Sequence, residues 1–387
     1  MKMRIMKTFG AAGSAGALTL LCLTSAGGAA SASPSPVQPA HAIPVSSRTA
    51  PGSFQPAAAS FVSPTWGVVL GSSGCTVKTA KQVCRAQLTV TADGGAHWSL
   101  MRAPAVWLFN ASSSLPQVSQ ILFAGRADGW LYDQYNSGHV WVTHNRGASW
   151  REITLPGNIA TMAVSAHAVY AVAGNQLYSS PLGRNAWTRV NARTRYGPMT
   201  GSALAVSGNS VWFGNDTYLW TAADGVHWAR YPFRCPAPVT PGSEPFSLAG
   251  ISAANRSDVA FLCAAESGMF HSVMKVLVSF NGGRSERQAP TALPPGGDVA
   301  AFAVALGRFG VITAAVLTPG TDRIYRSADL GRTWTTFGIP GTGGGTPLTS
   351  LEFMSPTVAC FVAGMPAIFG ELMWTANAGR TWYPVRF

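Results

Sequence analysis

The chain runs to 387 residues, with 27 Lys and Arg against 15 Asp and Glu and a formal net charge of +12. The basic residues form no run of five or more and no aromatic platform interleaves them, which argues against nucleic acid as a partner; attraction to anionic cell-surface polymers is easier to defend. Past the first thirty residues no run approaches the roughly 20 apolar residues of a membrane helix, so no membrane span is expected. The spacings of Cys75, Cys84, Cys235, Cys263 and Cys360 match no zinc pattern, and no metal or other cofactor is expected.

In chain order, Lys2, Arg4 and Lys7 precede the apolar run AGALTLLCL and the small-residue tract TSAGGAASA, the layout of a secretory signal peptide over residues 1–32. Cleavage after Ala32 fits the A-x-A pattern, with Ala40-His-Ala42 as the alternative. Removing those three charges from 27 leaves 24 basic against 15 acidic residues, or +9 for the mature chain. In that chain Arg outnumbers Lys by 21 to 3, which points to a high-GC bacterial genome. Residues 33–57, SPSPVQPAHAIPVSSRTAPGSFQPA, are Pro-, Ser- and Ala-rich without periodicity and read as a flexible leader. From Ala58 short apolar runs of four to eight residues alternate with Gly, Asn, Asp and Pro, with no helical period, which is an all-β signature.

One turn recurs through this region. TADGGAHW begins at Thr91, THNRGASW at Thr143, SPLGRNAW at Ser180, TAADGVHW at Thr221, SFNGGRSE at Ser279, SADLGRTW at Ser327 and TANAGRTW at Thr375. The intervals of 52, 37, 41, 58, 48 and 48 residues each suit one four-stranded propeller blade. Every unit has the same order: a first strand such as QILFA, a second such as GWLYD, a third such as VWVT, the turn, and a fourth such as WREIT. The Asp or Asn oxygen can accept from the turn's own N–H groups, Gly takes the positive φ, and Trp offers a large face to the neighbouring sheet. The expected residues of this structural device are Asp93, Gly95 and Trp98; Asn145, Gly147 and Trp150; Asp224 and Trp228; Asn281 and Gly283; Asp329, Gly331 and Trp334; and Asn377, Gly379 and Trp382. Asp224 stands one place late, Leu182 replaces the Asp, and Glu286 replaces one Trp.

The series resembles the BNR or Asp-box family of β-propellers, with the pattern S/T-x-D-x-G-x-T/x-W. The resemblance implies a single seven-bladed β-propeller of four-stranded antiparallel blades over residues 58–387. It also brings the sialidases into view, as well as propellers similar to photosystem II assembly factors and sortilins, which act by binding. A sialidase needs three arginines for a carboxylate, a Tyr–Glu nucleophile pair, an Asp acid and an early F/Y-R-I-P segment. The nearest string here, Met101-Arg102-Ala103-Pro104, follows the first box and lacks the aromatic residue. A glycosidase also needs two carboxyls at a fixed separation, and no spacing shows such a pair.

Long insertions, 71–86, 132–139, 264–274 and 315–323 within blades and 100–117, 188–200, 232–246 and 338–347 between them, fall on the face opposite the repeated turns. That face is where a ligand is expected. The candidate ligand-binding residues are Trp130, Tyr132, Asp133, Tyr135 and His139, with Asp216 and Tyr218 two blades later; rings beside carboxylates suit sugars and protein partners alike. Cys75 with Cys84, and Cys235 with Cys263, are candidate disulfides on the same face, whereas Cys360 reads as a buried thiol and His271 as a solvated loop residue. The expectation is a secreted monomeric propeller that binds a glycan or protein partner without catalysis, the alternative being a divergent sialidase-like glycoside hydrolase.

Overall fold

The computed structural model describes residues 54–387 apart from 79–80, 111–115, 135, 175, 191–202, 238–244, 267–271, 292, 294–302, 307–309, 317–321, 340–347 and 365–369. Its strands form seven four-stranded antiparallel sheets, the blades of a β-propeller, and one additional three-stranded sheet. The first strand of each blade borders the axis: Gln55–Phe61, Gln120–Ala124, Ile159–Val164, Ala203–Ser207, Ser247–Ala253, Ala303–Leu306 and Leu348–Phe353. Second strands such as Gly67–Ser72, Ser210–Gly214 and Ala359–Ala363 are buried at every residue. Each has a blade packed on both of its faces, so its sequence is a continuous apolar run rather than an alternation. Fourth strands, for example Ser99–Met101 and Thr188–Arg189, are short and mostly exposed. The propeller starts earlier than Ala58: Gln55–Ala57 belong to the first strand of blade 1, and Phe54 stacks on Phe387 with ring centroids 4.8 Å apart.

Five of the seven repeated turns share one hydrogen-bond pattern. The buried hydroxyl of Thr91, Thr143, Ser279, Ser327 or Thr375 donates to the Asp or Asn Oδ1 two residues on, at 2.8–3.0 Å. The same hydroxyl accepts the N–H of Gly95, Gly147, Gly283, Gly331 or Gly379 at 2.7–3.0 Å. Oδ1 in turn accepts the N–H four residues beyond itself, from His97, Ser149, Ser285, Thr333 or Thr381, at 2.9–3.0 Å. Four polar groups in each turn thus satisfy one another, and the glycines sit at φ of 77–90°. The copy ending in Glu286 keeps this geometry.

The other two turns depart from it. In blade 4 the third strand ends at Ala222, paired with Val211, so Asp224 stands two residues past the strand end as in the other turns, and Ala222 takes the place of the hydroxyl. The turn is one residue tighter, with Asp224 Oδ1 accepting from Val226 N at 2.9 Å and His227 N at 2.8 Å. In blade 3 Ser180 Oγ bonds Arg184 O at 2.8 Å and Ala186 N at 3.0 Å in place of the missing carboxylate.

Where a tryptophan follows the turn in blades 1, 2, 4 and 6, it welds its blade to the preceding one. Trp150 Nε1 donates to Arg102 O at 2.8 Å, Trp334 Nε1 to Thr291 O at 3.2 Å, and Trp228 meets Tyr170 edge-on at 6.5 Å. Trp98 of blade 1 packs on Phe387 of blade 7 at 4.7 Å, so the same device closes the ring. No strand is shared at this closure. Instead, blade 7 offers side chains to the open edge of the first strand of blade 1. Thr349 Oγ1 donates to Ala57 O at 2.9 Å, Ser350 Oγ accepts Ala59 N at 2.9 Å, and Glu352 Oε1 accepts Phe61 N at 3.0 Å. A register shift between Thr349 and Glu352, with Ser350 at φ 55°, turns these groups toward blade 1.

Candidate functional site

The two faces of the propeller are built differently. One carries the repeated turns and the short connections between first and second strands. The opposite face carries a hairpin, Cys75–Lys78 and Lys81–Arg85, inserted between the second and third strands of blade 1. It is joined by Trp107–Asn110 from the connection to blade 2, which makes the additional sheet. The 71–86 insertion is therefore a β-structure rather than an open loop. It is anchored because Cys84, Ala86, Val106, Leu108 and Val118 enter the core between blades 1 and 2. Cys84 is disulfide-bonded, and Cys75 lies opposite it in the ladder.

The connection from blade 4 to blade 5 is fastened to the same face at several points. Phe233 is buried against Phe261 at 5.0 Å, and Cys235 forms a disulfide with Cys263 of the second strand of blade 5. Lys275, paired with Cys263 across the ladder, donates to Ala237 O at 3.1 Å and lies 4.6 Å over the ring of Phe246. A buried ammonium needs such a carbonyl and ring face to replace its water. The described ends of this connection are thus tied to blade 5 by a disulfide, a hydrogen bond and a ring face.

The residues singled out in the sequence lie at this end of blades 2 and 4, and three of the six described are turned inward. Trp130 is fully buried, and Tyr132 and Asp133 are 5% and 7% exposed. Asp133 accepts from Asn136 Nδ2 at 3.2 Å. His139 is exposed and pairs with Glu152 at 2.7 Å. Asp216 accepts Leu248 N at 2.6 Å, a bond between blades 4 and 5, and burial raises its carboxyl above the usual range against that hydrogen bond. Tyr218 is half-buried under the guanidinium of Arg230, 4.5 Å from its centroid. Tyr135 and His271 lie outside the described residues. Trp130 thus belongs to the interblade core, while His139, Asp216 and Tyr218 stand on the rim of the face.

The axis holds a channel of about 1080 Å³ walled by the first strands of all seven blades. Among the described residues its lining is apolar, hydroxyl or amide, with Gln120, Gln134, Thr161 and Ser252 as examples, and Glu352 is its one ionisable carboxyl. Glu352 is open to the channel on one side and surrounded by protein elsewhere. That desolvation pushes its pKa up to about 7, only partly offset by the bond from Phe61 N. Cys360, across the ladder from Glu352, is a buried free thiol whose pKa is raised by burial and by that carboxylate. A thiol so held stays protonated and unreactive. No group of three His, Cys, Asp or Glu side chains that could hold a metal occurs among the described residues.

No known family profile matches the chain, and no curated protein does. Similar solved structures include YCF48 bound to D1 peptide, at 16% identity and a TM-score of 0.53 over 84% of this chain and 93% of that one. Another is Hsv2 with loop 6CD replaced by a Gly-Ser linker, at 10% identity and a TM-score of 0.50 over 83% of this chain and 93% of that one. An ancestral GH74 enzyme is similar at 13% identity and a TM-score of 0.47, covering 86% of this chain and 46% of that one. Likeness at these identities shows the propeller fold and leaves function to be argued from the site.

Proposed function

We propose that this is a secreted Asp-box propeller that binds an extracellular protein or glycan through the face opposite its repeated turns, without turning it over. The observation that carries this reading is the concentration of reinforcement on one face. The accessory sheet, the Cys235–Cys263 disulfide and the Lys275 anchor all stiffen the ends of connections that the fold itself does not need. Rigid supports under long connections are how a scaffold presents recognition elements at low entropic cost. Disulfides and the leader of basic, apolar and small residues both support export.

Of the two ligand classes, the protein partner has the stronger support. The inward-turned aromatics Trp130 and Tyr132 remove the stacking platform on which a sugar reading relied. YCF48, of the same fold, is seen with a peptide bound. The hydrolase alternative needs two carboxyls across the scissile bond, and the described channel lining supplies Glu352 alone.

The test is a panel of immobilised peptides and glycans probed with the purified mature chain, with aryl-glycoside hydrolysis followed on the same sample. The panel is then repeated with the Cys235→Ser/Cys263→Ser variant. Binding without turnover that weakens in the variant supports the reading. Hydrolysis lost on substituting Glu352 overturns it.

A further inference from the structure

The turn face carries a charge pattern that the fold does not explain. The position just after the turn glycine is Ala96 in blade 1, Ala148 in blade 2, Arg184 in blade 3 and Val226 in blade 4, and it is arginine in three successive blades, Arg284, Arg332 and Arg380 of blades 5, 6 and 7. All three are exposed, and none of their guanidiniums has a hydrogen-bond partner among the described residues. The same three blades add Arg256 from the first turn of blade 5, Arg287 at the start of its fourth strand, and Arg326 beneath the blade 7 turn. Against these six stand three carboxyls, Asp258, Glu286 and Asp329. Asp329 is spent on its own turn: its Oδ1 takes the N–H groups of Arg332 and Thr333 and the Ser327 hydroxyl, and its Oδ2 takes the Thr333 hydroxyl. Asp258 is bonded to Asn255 at 2.8 Å, and Glu286 is half-buried.

Two features give the arc the form of a site. A cleft of about 320 Å³ opens between blades 5 and 6, with Arg287 on one wall and Arg332 on the other, beside the Asp329 carboxylate that is bonded within its own turn. Arg326, which donates from Nε to Ala378 O, lies beneath the turn that carries Arg380. Like charges held together on a surface cost free energy until an anion lies between them.

We infer that this arc binds a linear anionic polysaccharide, its sulfate or carboxylate groups paired with the arginines of successive blades. One arginine per blade at an equivalent position calls for a ligand whose charges repeat along its length, and guanidinium forks match oxyanions in pairs. Between the arginines the exposed residues Ser285, Thr333 and Thr381 are bonded to Asn281, Asp329 and Asn377 of their own turns, which leaves the guanidiniums as the groups that meet the ligand. Bases would need an open aromatic face. Of the two exposed rings in the arc, Phe280 is covered by Arg287 at 5.0 Å, and Tyr383 is tied through its hydroxyl to Thr381 at 3.0 Å.

The test uses heparin as the probe with the full mature chain, measuring affinity across a salt series. Charge pairing predicts that the logarithm of the affinity falls linearly with the logarithm of salt concentration, each polyanion charge paired with an arginine adding about 0.7 to 0.9 to the slope. The Arg284→Gln/Arg332→Gln/Arg380→Gln variant is expected to lower that slope by about 2 to 3, and the corresponding triple Lys variant to keep it. The Cys235→Ser/Cys263→Ser variant, altered on the opposite face, is expected to bind heparin unchanged, so this inference and the proposed function fail separately. Equal heparin binding by the Gln variant overturns the inference. So does displacement of heparin by poly-glutamate or single-stranded DNA of matched charge at lower concentration than by dextran sulfate.

Discussion

Glu352 couples the closure of the ring to pH. Its carboxyl rises from the ordinary 4.5 to about 7 because it sits in the channel wall with protein around it, while Phe61 N offers one compensating bond. A folded-state pKa above the unfolded value means that the unfolded chain releases the proton first. Stability is therefore greatest, as far as this group is concerned, below pH 4.5, and falls as pH rises toward 7, where the folded carboxyl ionises. At about 1.4 kcal/mol per tenfold change in proton affinity, the rise corresponds to about 3 kcal/mol withheld from the fold above pH 7. Glu352→Gln keeps an oxygen for Phe61 N and removes the charge. The variant is expected to match the parent at pH 4 and to exceed it by up to about 3 kcal/mol at pH 8. Urea unfolding at pH steps from 4 to 8 measures the difference. Two curves that run parallel across the range would refute the reasoning, because they would mean that Glu352 titrates alike in both states.

Five further outcomes follow from the turns, the closure and the disulfide. Gly331→Ala places a Cβ at φ 81° and 2.5 Å from the Ala289 Cβ, and should cost about 2 to 4 kcal/mol in urea unfolding. Gly183→Ala, at φ 70° with nothing within 4 Å, should cost about 1 to 2. Ser327→Ala removes the buried acceptor of Gly331 N and should cost about 1 to 3 kcal/mol, while Ser327→Thr, the residue used in three sister turns, should be tolerated. Phe387→Ala strips both Phe54 and Trp98 of a ring partner and should cost about 1 to 3 kcal/mol, with a change in tryptophan fluorescence. Removing the Cys235–Cys263 bond, which spans 28 residues, should cost about 3 to 4 kcal/mol at 25 °C, read as a lower urea midpoint.

The blades are legible in the sequence because the turn demands a hydroxyl, an oxygen acceptor and a glycine at fixed offsets, and few other structures do. The shift at Asp224 is not legible, since it depends on where the third strand of blade 4 stops pairing, and Ala222 carries no mark of that. The ring closure is hidden for another reason. Ser350 and Glu352 meet partners 291 residues away through one side-chain bond each, and such isolated groups leave no pattern. The aromatic cluster around Trp130 misleads because both faces of a propeller's second strand are covered by neighbouring blades. Alternation there separates two buried sides rather than a buried and a wet one. The turn arginines are legible as the Gly-Arg pair shared by the last three repeats, but that Arg287 and Arg332 face one another across a cleft depends on how blades 5 and 6 pack.

The most direct test of the account is amide hydrogen exchange of the intact mature chain, with and without the peptide or glycan retained most tightly on the panel. The account predicts added protection in the accessory sheet, Cys75–Arg85 and Trp107–Asn110, and in the connection around Cys235, with the repeated turns unchanged. Protection confined to the axial strand around Glu352, accompanied by turnover of the bound molecule, would contradict it.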